Sequence, residues 1–205
     1  MFHVKHPGLA DVADWAGLDV PDGMAERLDG LAQWLATEGV EAGGLGPHEG
    51  SRVWERHILD SLMFARGWDV APDTIVDVGT GIGLPGLPLA LALPDRSFAL
   101  VDRSGRRIRL IRRAVRQFGL ENVEAIESES DAFFAARGPA DAVVMRGVLQ
   151  PASLPAFVGR AVAVGGVLVA GAGLDPDPVP GSDLVRFPGS EVLAPGRWLR
   201  IMRRT

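Results

Sequence analysis

The sequence contains the glycine-rich run Asp77-Val-Gly79-Thr-Gly81-Ile-Gly83-Leu-Pro85-Gly86. This run follows the short apolar, β-branched stretch Thr74-Ile75-Val76 and precedes a helix-like apolar segment at 87–93. A strand, a glycine-rich turn and a helix start in this order are typical of the site that holds a nucleotide-like cofactor at the head of a parallel sheet. A merely structural glycine turn is disfavoured, because each glycine costs backbone entropy unless the turn needs it.

Asp77 distinguishes between the two classes of cofactor that use this layout. Gly81, Gly83 and Gly86 fit the G-x-G-x-x-G pattern of dinucleotide sites. In such sites the first glycine follows the strand almost directly, and Pro85 removes a backbone N–H that a pyrophosphate would use. A carboxylate at the strand end would also repel a diphosphate. It suits the ammonium and sulfonium of S-adenosylmethionine, and we therefore expect a site for this cofactor.

The composition is that of an ordinary globular protein. Of the 205 residues, 47% are hydrophobic and 23% are charged, which fits one α/β domain with a small appendage. The chain has no cysteine, which excludes disulfides, thiolate metal sites and a thiol nucleophile.

No apolar run approaches the roughly 18 residues of a membrane span, and Met1–His6 lacks the apolar part of a signal peptide. We expect a cytoplasmic protein with no membrane partner. Its net charge of −5 argues against a strongly basic nucleic-acid protein, although one basic face remains compatible.

The first third of the chain predicts an arm and two helices. Residues 1–20 are mixed and punctuated by glycine and proline, which predicts a loose arm. A helix of roughly 15 residues follows, and a second helix at 51–62 can be capped by Ser51. On that second helix we expect an i,i+4 pair between Arg56 and Asp60. Its predicted buried face consists of Ile58, Leu59, Leu62 and Met63.

The remaining two thirds predict a doubly wound sheet, because strand-like and helix-like segments alternate after the glycine-rich run. We expect a Rossmann-like core at 67–205, preceded by the arm and helices at 1–66, which pack on it. The proline-rich segment 175–181 predicts a loop without a helix. Further strands are predicted at 97–101, 123–126, 141–145 and 166–170, helices at 104–118 and 154–162, and a terminal antiparallel pair at 184–187 and 197–202.

Polar residues at the predicted strand ends are the candidate site residues. Asp102 can reach ribose hydroxyls, or answer the dipole of the next helix. Asp131 can receive an adenine amino group, or cap a helix. Arg146 follows the fourth strand, where an acceptor should meet the transferred methyl; a buried structural arginine is the alternative. His57 is interpreted as a surface or packing residue, and no His/Asp/Glu cluster has metal-ligand spacing.

The predicted helix 104–118 and the residue before it carry a run of arginines. A solvated helix face is one interpretation, and a surface for a phosphate backbone is the other. The run comprises Arg103, Arg106, Arg107, Arg109, Arg112, Arg113 and Arg116.

Three stretches together resemble the RsmG (GidB) family. They are Glu55-Arg-His-Ile-Leu-Asp-Ser-Leu62, Asp77-Val-Gly-Thr-Gly-Ile-Gly-Leu-Pro-Gly-Leu-Pro88 and Leu100-Val-Asp102. The resemblance implies a class I S-adenosylmethionine-dependent methyltransferase fold and methylation of N7 of a guanine in the 530 loop of 16S ribosomal RNA. It further implies a monomer that acts on 16S rRNA or the small ribosomal subunit. The implied cofactor-binding residues are Asp77, Gly79, Thr80, Gly81, Gly83, Leu84, Asp102, Arg103, Glu129, Ser130, Asp131 and Arg146.

The same resemblance implies the mechanism. Guanine N7 has a free lone pair, so its attack on the sulfonium methyl needs positioning rather than a general base. Arg146 is then the catalytic candidate, holding the base or its phosphate.

The chain departs from the family pattern at two basic positions. Glu129 stands where the family has an arginine, and Ala172 stands where it has a lysine, whereas Asp131 and Arg146 are retained. Two other functions therefore stay open. One is a non-catalytic member that binds cofactor or ribosome, and the other is a methyltransferase recruited to another substrate.

Overall fold

The computed structural model describes residues 6–46, 48–69 and 72–205, and within them a single sheet of seven strands runs through the molecule. The strand order is β3-β2-β1-β4-β5-β7-β6. The first five strands are parallel, β7 runs antiparallel to β5, and β6 runs antiparallel to β7. This is the doubly wound sheet with a terminal antiparallel pair that the sequence predicts. The strands are β1 (Thr74–Val78), β2 (Ser97–Asp102), β3 (Val123–Glu127), β4 (Ala140–Arg146), β5 (Val162–Gly173), β6 (Asp183–Arg186) and β7 (Trp198–Arg203).

The central strands are covered on both faces, which explains their continuous apolar sequences. In β1, Ile75, Val76 and Val78 are all buried, and in β4 Val143 and Val144 are fully buried. The two strands pair in parallel, and the order of the sheet reverses between them. A crevice therefore opens at their carboxyl ends, which is where ligands bind in open α/β sheets.

Four helices connect the parallel strands. The second of them, the arginine-rich helix, ends as predicted at Gly119, whose φ of 59° is in the left-handed region that favours glycine. Within the described residues, none of the helices is long and apolar enough to cross a membrane. The four helices, which we label with the N-terminal ones in chain order, are α4 (Gly86–Ala92), α5 (Gly105–Phe118), α6 (Ser130–Arg137) and α7 (Leu154–Ala161).

The N-terminal region is more ordered than the sequence predicts. A helix, α1 (Leu9–Ala16), lies inside the predicted loose arm, and that prediction is therefore wrong for these residues. Gly8 and Gly17, which suggested a loop, instead flank this helix with φ of 79° and 72°. One apolar face of α1 is buried in the main core, which outweighs the glycine punctuation. The buried residues of this face are Leu9, Val12, Ala13 and Ala16.

Two further helical segments complete this region. The first, α2 (Met24–Trp34), continues as a π-helix over Leu35–Gly39. The second spans 50–67, and we call it the 50–67 segment. It consists of a 3-10 turn (Gly50–Arg52), a π-helix (Trp54–Leu59), the short α3 (Asp60–Leu62) and a 3-10 turn (Met63–Gly67).

The 50–67 segment confirms one prediction and corrects two. The predicted apolar face is buried as expected. Ser51 lies inside the first 3-10 turn and makes no capping hydrogen bond with the described residues. Arg56 is paired with Glu49, at 3.6 Å, rather than with Asp60.

The proline-rich loop between β5 and β6 contains no helix, as predicted. Arg200, a buried arginine of β7, forms hydrogen bonds with this loop. The guanidinium donates to Ser182 Oγ at 2.9 Å and to the carbonyl of Asp177. Arg200 thus satisfies polar groups of a loop that has no secondary structure of its own.

Candidate active site

The turn after β1 depends on glycine for its backbone conformation. Gly79, Gly81 and Gly83 have φ of 63°, 63° and 97°, a region that other residues rarely adopt. A Cβ on Gly79 would also lie 2.6 Å from the side chain of Val148. The absence of a side chain at Gly79 therefore lets Val148 pack against the backbone of this turn.

Asp77 organises this turn from beneath. Its carboxylate is fully buried, and Oδ2 accepts hydrogen bonds from Thr80 Oγ1 at 2.6 Å and from the N–H of Gly86 at 2.8 Å. The other oxygen, Oδ1, has no hydrogen-bond partner among the described residues. Burial raises the pKa of Asp77 to about 7, although the two hydrogen bonds oppose this shift. Asp77 therefore joins the turn to the start of α4.

A crevice of about 580 Å³ opens above the turn, at the carboxyl ends of β1, β2 and β4. We call it the cofactor crevice. Most of the predicted cofactor residues line it, and Asp77, Gly83 and Asp131 do not. The Asp77 carboxylate, which the sequence analysis places against the positive charges of the cofactor, is instead buried beneath the turn. The predicted residues in its wall are Gly79, Thr80, Gly81, Leu84, Asp102, Arg103, Glu129, Ser130 and Arg146.

Asp102 connects three parts of the crevice wall. Its side chain is 4% exposed, and Oδ1 accepts the N–H of Ser104 at 2.8 Å, directly before α5. Oδ2 accepts the N–H of Gly81 at 3.0 Å and lies 3.4 Å from Arg107 Nη1. Both interpretations of this residue therefore find support, because the carboxylate lines the crevice and also holds the start of α5.

Asp131 does not line the crevice, although the sequence predicts it at the adenine end of the cofactor site. This carboxylate makes an ion pair with Arg160 Nε at 3.0 Å and lies outside the crevice wall. It stands in the first turn of α6, so its side chain leans toward the surface between α6 and α7. Glu129, two residues earlier, lines the crevice instead and lies 3.9 Å from Arg103 Nη1.

A second cavity of about 360 Å³ adjoins the cofactor crevice, and we call it the acceptor cavity. It lies between the 50–67 segment and the ends of β5 and β7. Arg146 and Gly147 line both cavities. The acceptor cavity is lined by Arg56, His57, Asp60, Met63, Phe64, Arg146, Gly147, Gly171, Gly173, Arg197, Trp198 and Leu199.

His57, which the sequence analysis interprets as a surface or packing residue, lines the acceptor cavity. Its side chain is only 13% exposed, with Nε2 3.0 Å from Glu49 Oε2 and Nδ1 3.5 Å from Arg146 Nη2. Burial lowers the pKa of His57, and the charge of Arg146 lowers it further. A signal was present in the sequence, since His57, Asp60 and Phe64 recur at helical spacing on one face.

The arginines of the α5 run divide into two groups. Arg112 donates to the carbonyl of Ala125, at 3.0 and 3.3 Å, and Arg113 is paired with Glu38 at 2.9 Å. Both, like Arg103 and Arg107, are thus engaged within the protein. The exposed guanidinium groups of the other arginines make no side-chain hydrogen bond or ion pair with the described part of the chain; these are Arg106, Arg109 and Arg116.

In the part of the chain that the structure describes, no group of three or more His, Cys, Asp or Glu residues could hold a metal ion.

The sequence matches a protein family and several named proteins. Residues 24–176 match the family model GidB, described as rRNA small subunit methyltransferase G. A protein named ribosomal RNA small subunit methyltransferase G from Mycobacterium leprae (strain Br4923) is 37% identical over 165 residues, covering 72% of this chain and 66% of that protein. One of the same name from Mycobacterium marinum is 42% identical over 127 residues, covering 61% and 54%. The matches thus span from about half to just under two thirds of these relatives.

The solved structures support the fold alone. A methyltransferase from Geobacter sulfurreducens superposes with a TM-score of 0.57 at 15% identity, and the match covers 96% of both chains. Together with the strand order, this confirms the predicted methyltransferase fold class.

Proposed function

Because the chain belongs to the rRNA small subunit methyltransferase G family, we propose that it methylates N7 of a guanine in the 530 loop of 16S ribosomal RNA with S-adenosylmethionine. The observation that carries this proposal is the pair of adjoining cavities with Arg146 in their common wall. One cavity suits the cofactor and the other suits the acceptor base.

The residues of the cofactor crevice fit S-adenosylmethionine. Two carboxylates, Asp102 and Glu129, line the wall, and each lies near a guanidinium, Asp102 at 3.4 Å from Arg107 and Glu129 at 3.9 Å from Arg103. The choice of this cofactor over a dinucleotide is therefore supported by the family and by Pro85, which removes a backbone donor that a pyrophosphate would use. Asp102 would hold the ribose hydroxyls, the turn around Gly79 and Gly81 would hold the amino-acid part, and Glu129 with Ser130 would lie at the adenine end. When bound, the cofactor supplies a methyl group on a positively charged sulfur.

The acceptor cavity would position the base. Guanine N7 carries its own lone pair, so this chain needs no general base and contributes by alignment and by exclusion of water. Arg146 would contact the base or its phosphate from the common wall. Its guanidinium is oriented by His57, which is oriented in turn by Glu49.

The exposed arginines of α5 would bind the RNA backbone. Arg106, Arg109 and Arg116 are exposed and free of partners in the described part of the chain, as phosphate contacts require. The proposed partner is 16S rRNA or the small ribosomal subunit. We propose that the protein binds it in the cytoplasm and as a monomer.

One observation favours an alternative function. Glu129 places a negative charge on the crevice rim, where the family pattern has an arginine, and Arg103 Nη1 lies 3.9 Å from its carboxylate. A cofactor- or ribosome-binding protein without methyl transfer, or a methyltransferase for another substrate, would be compatible with this change.

Mass spectrometry of 16S rRNA tests the proposal. Cells that lack the gene should lose the 7-methyl group on one guanine of the 530 loop, and the wild-type gene should restore it. The Arg146→Ala gene should not restore it although the protein is present. A methyl group that persists after deletion would exclude the proposed reaction.

A further inference from the structure

Among the described residues, one carboxylate lines the acceptor cavity, in a wall of cationic and apolar side chains and the imidazole of His57. Among the described lining residues, Asp60 is the only acid, and Arg56, Arg146 and Arg197 are the cations. The Asp60 side chain makes no hydrogen bond, and no ion pair within 4.0 Å, with the described part of the chain. It lies partly buried on α3, in the wall of the cavity. Its hydrogen-bonding capacity is therefore free for a ligand.

The neighbouring cations of the cavity make no direct ion pair with this carboxylate in the described part of the chain. The cation of its own segment that lines the cavity, Arg56, is paired with Glu49 at 3.6 Å. Burial raises the pKa of Asp60 to about 6, and the charges of Arg146, Arg197 and Arg56 limit the rise. At neutral pH the group is mainly ionised, and an ionised carboxylate only accepts hydrogen bonds. A ligand for Asp60 must therefore present donors.

The rest of the wall suits a flat aromatic ring. Phe64 and Trp198 supply aromatic surface. The glycines beside them add no side chain to the cavity: a Cβ on Gly171 would lie 3.7 Å from Phe64 Cζ, and Gly173 pairs with Trp198. Nucleic-acid bases that are unstacked from RNA are commonly bound by aromatic side chains. The volume of about 360 Å³ lies at the lower end of the roughly 300–1,000 Å³ range of small-ligand sites, as expected for one base.

Guanine is the base whose edge matches a carboxylate. Its N1–H and 2-amino group are adjacent donors that can pair with the two carboxylate oxygens. Adenine and cytosine each present an acceptor nitrogen at this edge, which would face the negative charge. Uracil presents one donor between two acceptors.

The same orientation leaves N7 free. In guanine, N7 lies on the opposite side of the ring from N1 and the 2-amino group. When these donors face Asp60, N7 faces away from this carboxylate, in a cavity that adjoins the cofactor crevice at Arg146 and Gly147. One contact would thus select the base and leave its reacting atom free.

We propose that Asp60 is the specificity-determining residue of the acceptor cavity, and that its carboxylate accepts hydrogen bonds from N1–H and the 2-amino group of the target guanine. This inference rests on the proposed function and adds to it the residue that recognises the base.

A change in the substrate and a change in the residue test the proposal together. Small subunits are reconstituted with 16S RNA that carries either guanosine or inosine at the target position. Inosine keeps N1–H and N7 but lacks the 2-amino group. For the wild-type protein, kcat/KM should be roughly 10- to 100-fold lower with inosine. For Asp60→Asn and Asp60→Ala, the rate with guanosine should fall, and the ratio between the two substrates should approach one.

Control measurements separate recognition from structure. Cofactor affinity, measured by calorimetry, should change less than about threefold in both Asp60 variants, since the residue lies outside the cofactor crevice. Glu55→Gln, an exposed change on the same segment, should keep both the rate and the substrate ratio.

The other outcomes are informative in different ways. An unchanged ratio in both Asp60 variants, or a wild-type protein that uses inosine as well as guanosine, would overturn the assignment of Asp60 and leave the proposed methyl transfer standing. A wild-type protein that fails on the guanosine substrate would overturn both proposals.

Discussion

Arg146 and His57 lie 89 residues apart in the sequence, and yet Arg146 Nη2 is 3.5 Å from His57 Nδ1. The other ring nitrogen, Nε2, is 3.0 Å from Glu49 Oε2. A neutral ring with its proton on Nε2 satisfies both contacts, because it donates to Glu49 and accepts from Arg146. The three residues form a chain of contacts that orients the guanidinium between the two cavities.

Because of this contact, the pKa of His57 depends on the positive charge of Arg146. The positive charge of Arg146 disfavours the imidazolium form, so Arg146→Ala should raise the pKa of His57 from its lowered value toward the ordinary value of about 6.5. Nitrogen-15 NMR of the ring can follow the titration. Arg197→Ala, which removes a cation from the same cavity, is the matched control and should shift this pKa much less. Equal effects of the two variants would contradict the proposed contact.

Arg146→Ala should separate methyl transfer from cofactor binding. Without the guanidinium, the base loses its alignment, and we expect the transfer rate to fall by roughly 100-fold or more. The crevice keeps its glycine-rich turn and Asp102, so the cofactor affinity should change by only a few fold. Single-turnover assays and calorimetry give the two quantities. A parallel loss of both would mean that Arg146 is a structural residue.

Asp77 should give the folded state an unusual dependence on pH. Its pKa is about 7 in the folded protein and near 3.8 without burial, so the folded state binds more protons between these values. The free energy of unfolding should therefore lose a contribution on the order of 2–4 kcal/mol as the pH rises from about 4 to about 7. Above pH 7 this contribution should no longer change.

Asp77→Asn tests this dependence, because an amide keeps an oxygen for Thr80 and Gly86 but does not titrate. Relative to wild type, the variant should gain stability steadily between pH 4 and 7 in denaturant titrations. Asp95→Asn, at an exposed position, serves as the control for loss of a carboxylate. A constant difference between Asp77→Asn and wild type across this range would show that Asp77 stays ionised.

Two helical glycines should respond oppositely to alanine. A Cβ on Gly86 would lie 2.7 Å from Asp77 Oδ2 and 2.9 Å from Leu100 Cγ, so Gly86→Ala should destabilise the protein by about 1–3 kcal/mol. Gly159, in α7, has open space around the same position, and Gly159→Ala should stabilise the protein by up to about 1 kcal/mol. Thermal unfolding distinguishes them. Similar stability of the two variants would mean that α4 can move away from Asp77.

The salt dependence of RNA affinity tests the proposed RNA surface of α5. Replacing Arg106, Arg109 and Arg116 by alanine should weaken RNA binding and reduce the slope of log K against log salt by about 0.7–0.9 for each phosphate that the protein no longer neutralises. Fluorescence anisotropy over a salt series measures this slope. Arg112→Ala and Arg137→Ala are suitable controls, because these guanidinium groups bind Ala125 and Glu124 within the protein. An unchanged slope in the triple variant would place the RNA elsewhere.

The sheet could be predicted because its signals are local. The apolar strands, the glycines of the turn and Gly119 at the end of α5 each act through neighbouring backbone. The loose arm was a wrong prediction, since α1 is stabilised by packing of residues such as Val12 against side chains that distant parts of the chain supply.

The site was predicted where it depends on the order of the strands, and missed where it depends on contacts between elements. Asp102 and Arg146 end strands that meet at the crevice, and their positions follow from the topology. His57 and Asp60 belong to a segment far away in sequence, so only the folded structure brings them to Arg146. The position of Asp131 after β3 predicts a place in the crevice, but the arginine of α7 that attracts this carboxylate could not be foreseen.

The common wall at Arg146 and Gly147 has a thermodynamic consequence. A molecule in either chamber that reorients this guanidinium alters the free energy of filling the other chamber. By linkage, the second occupant must act back on the first by the same factor. The methyl donor and the nucleic acid would then change each other's binding affinity by the same factor. Titrating one in the presence of the other would measure this factor directly.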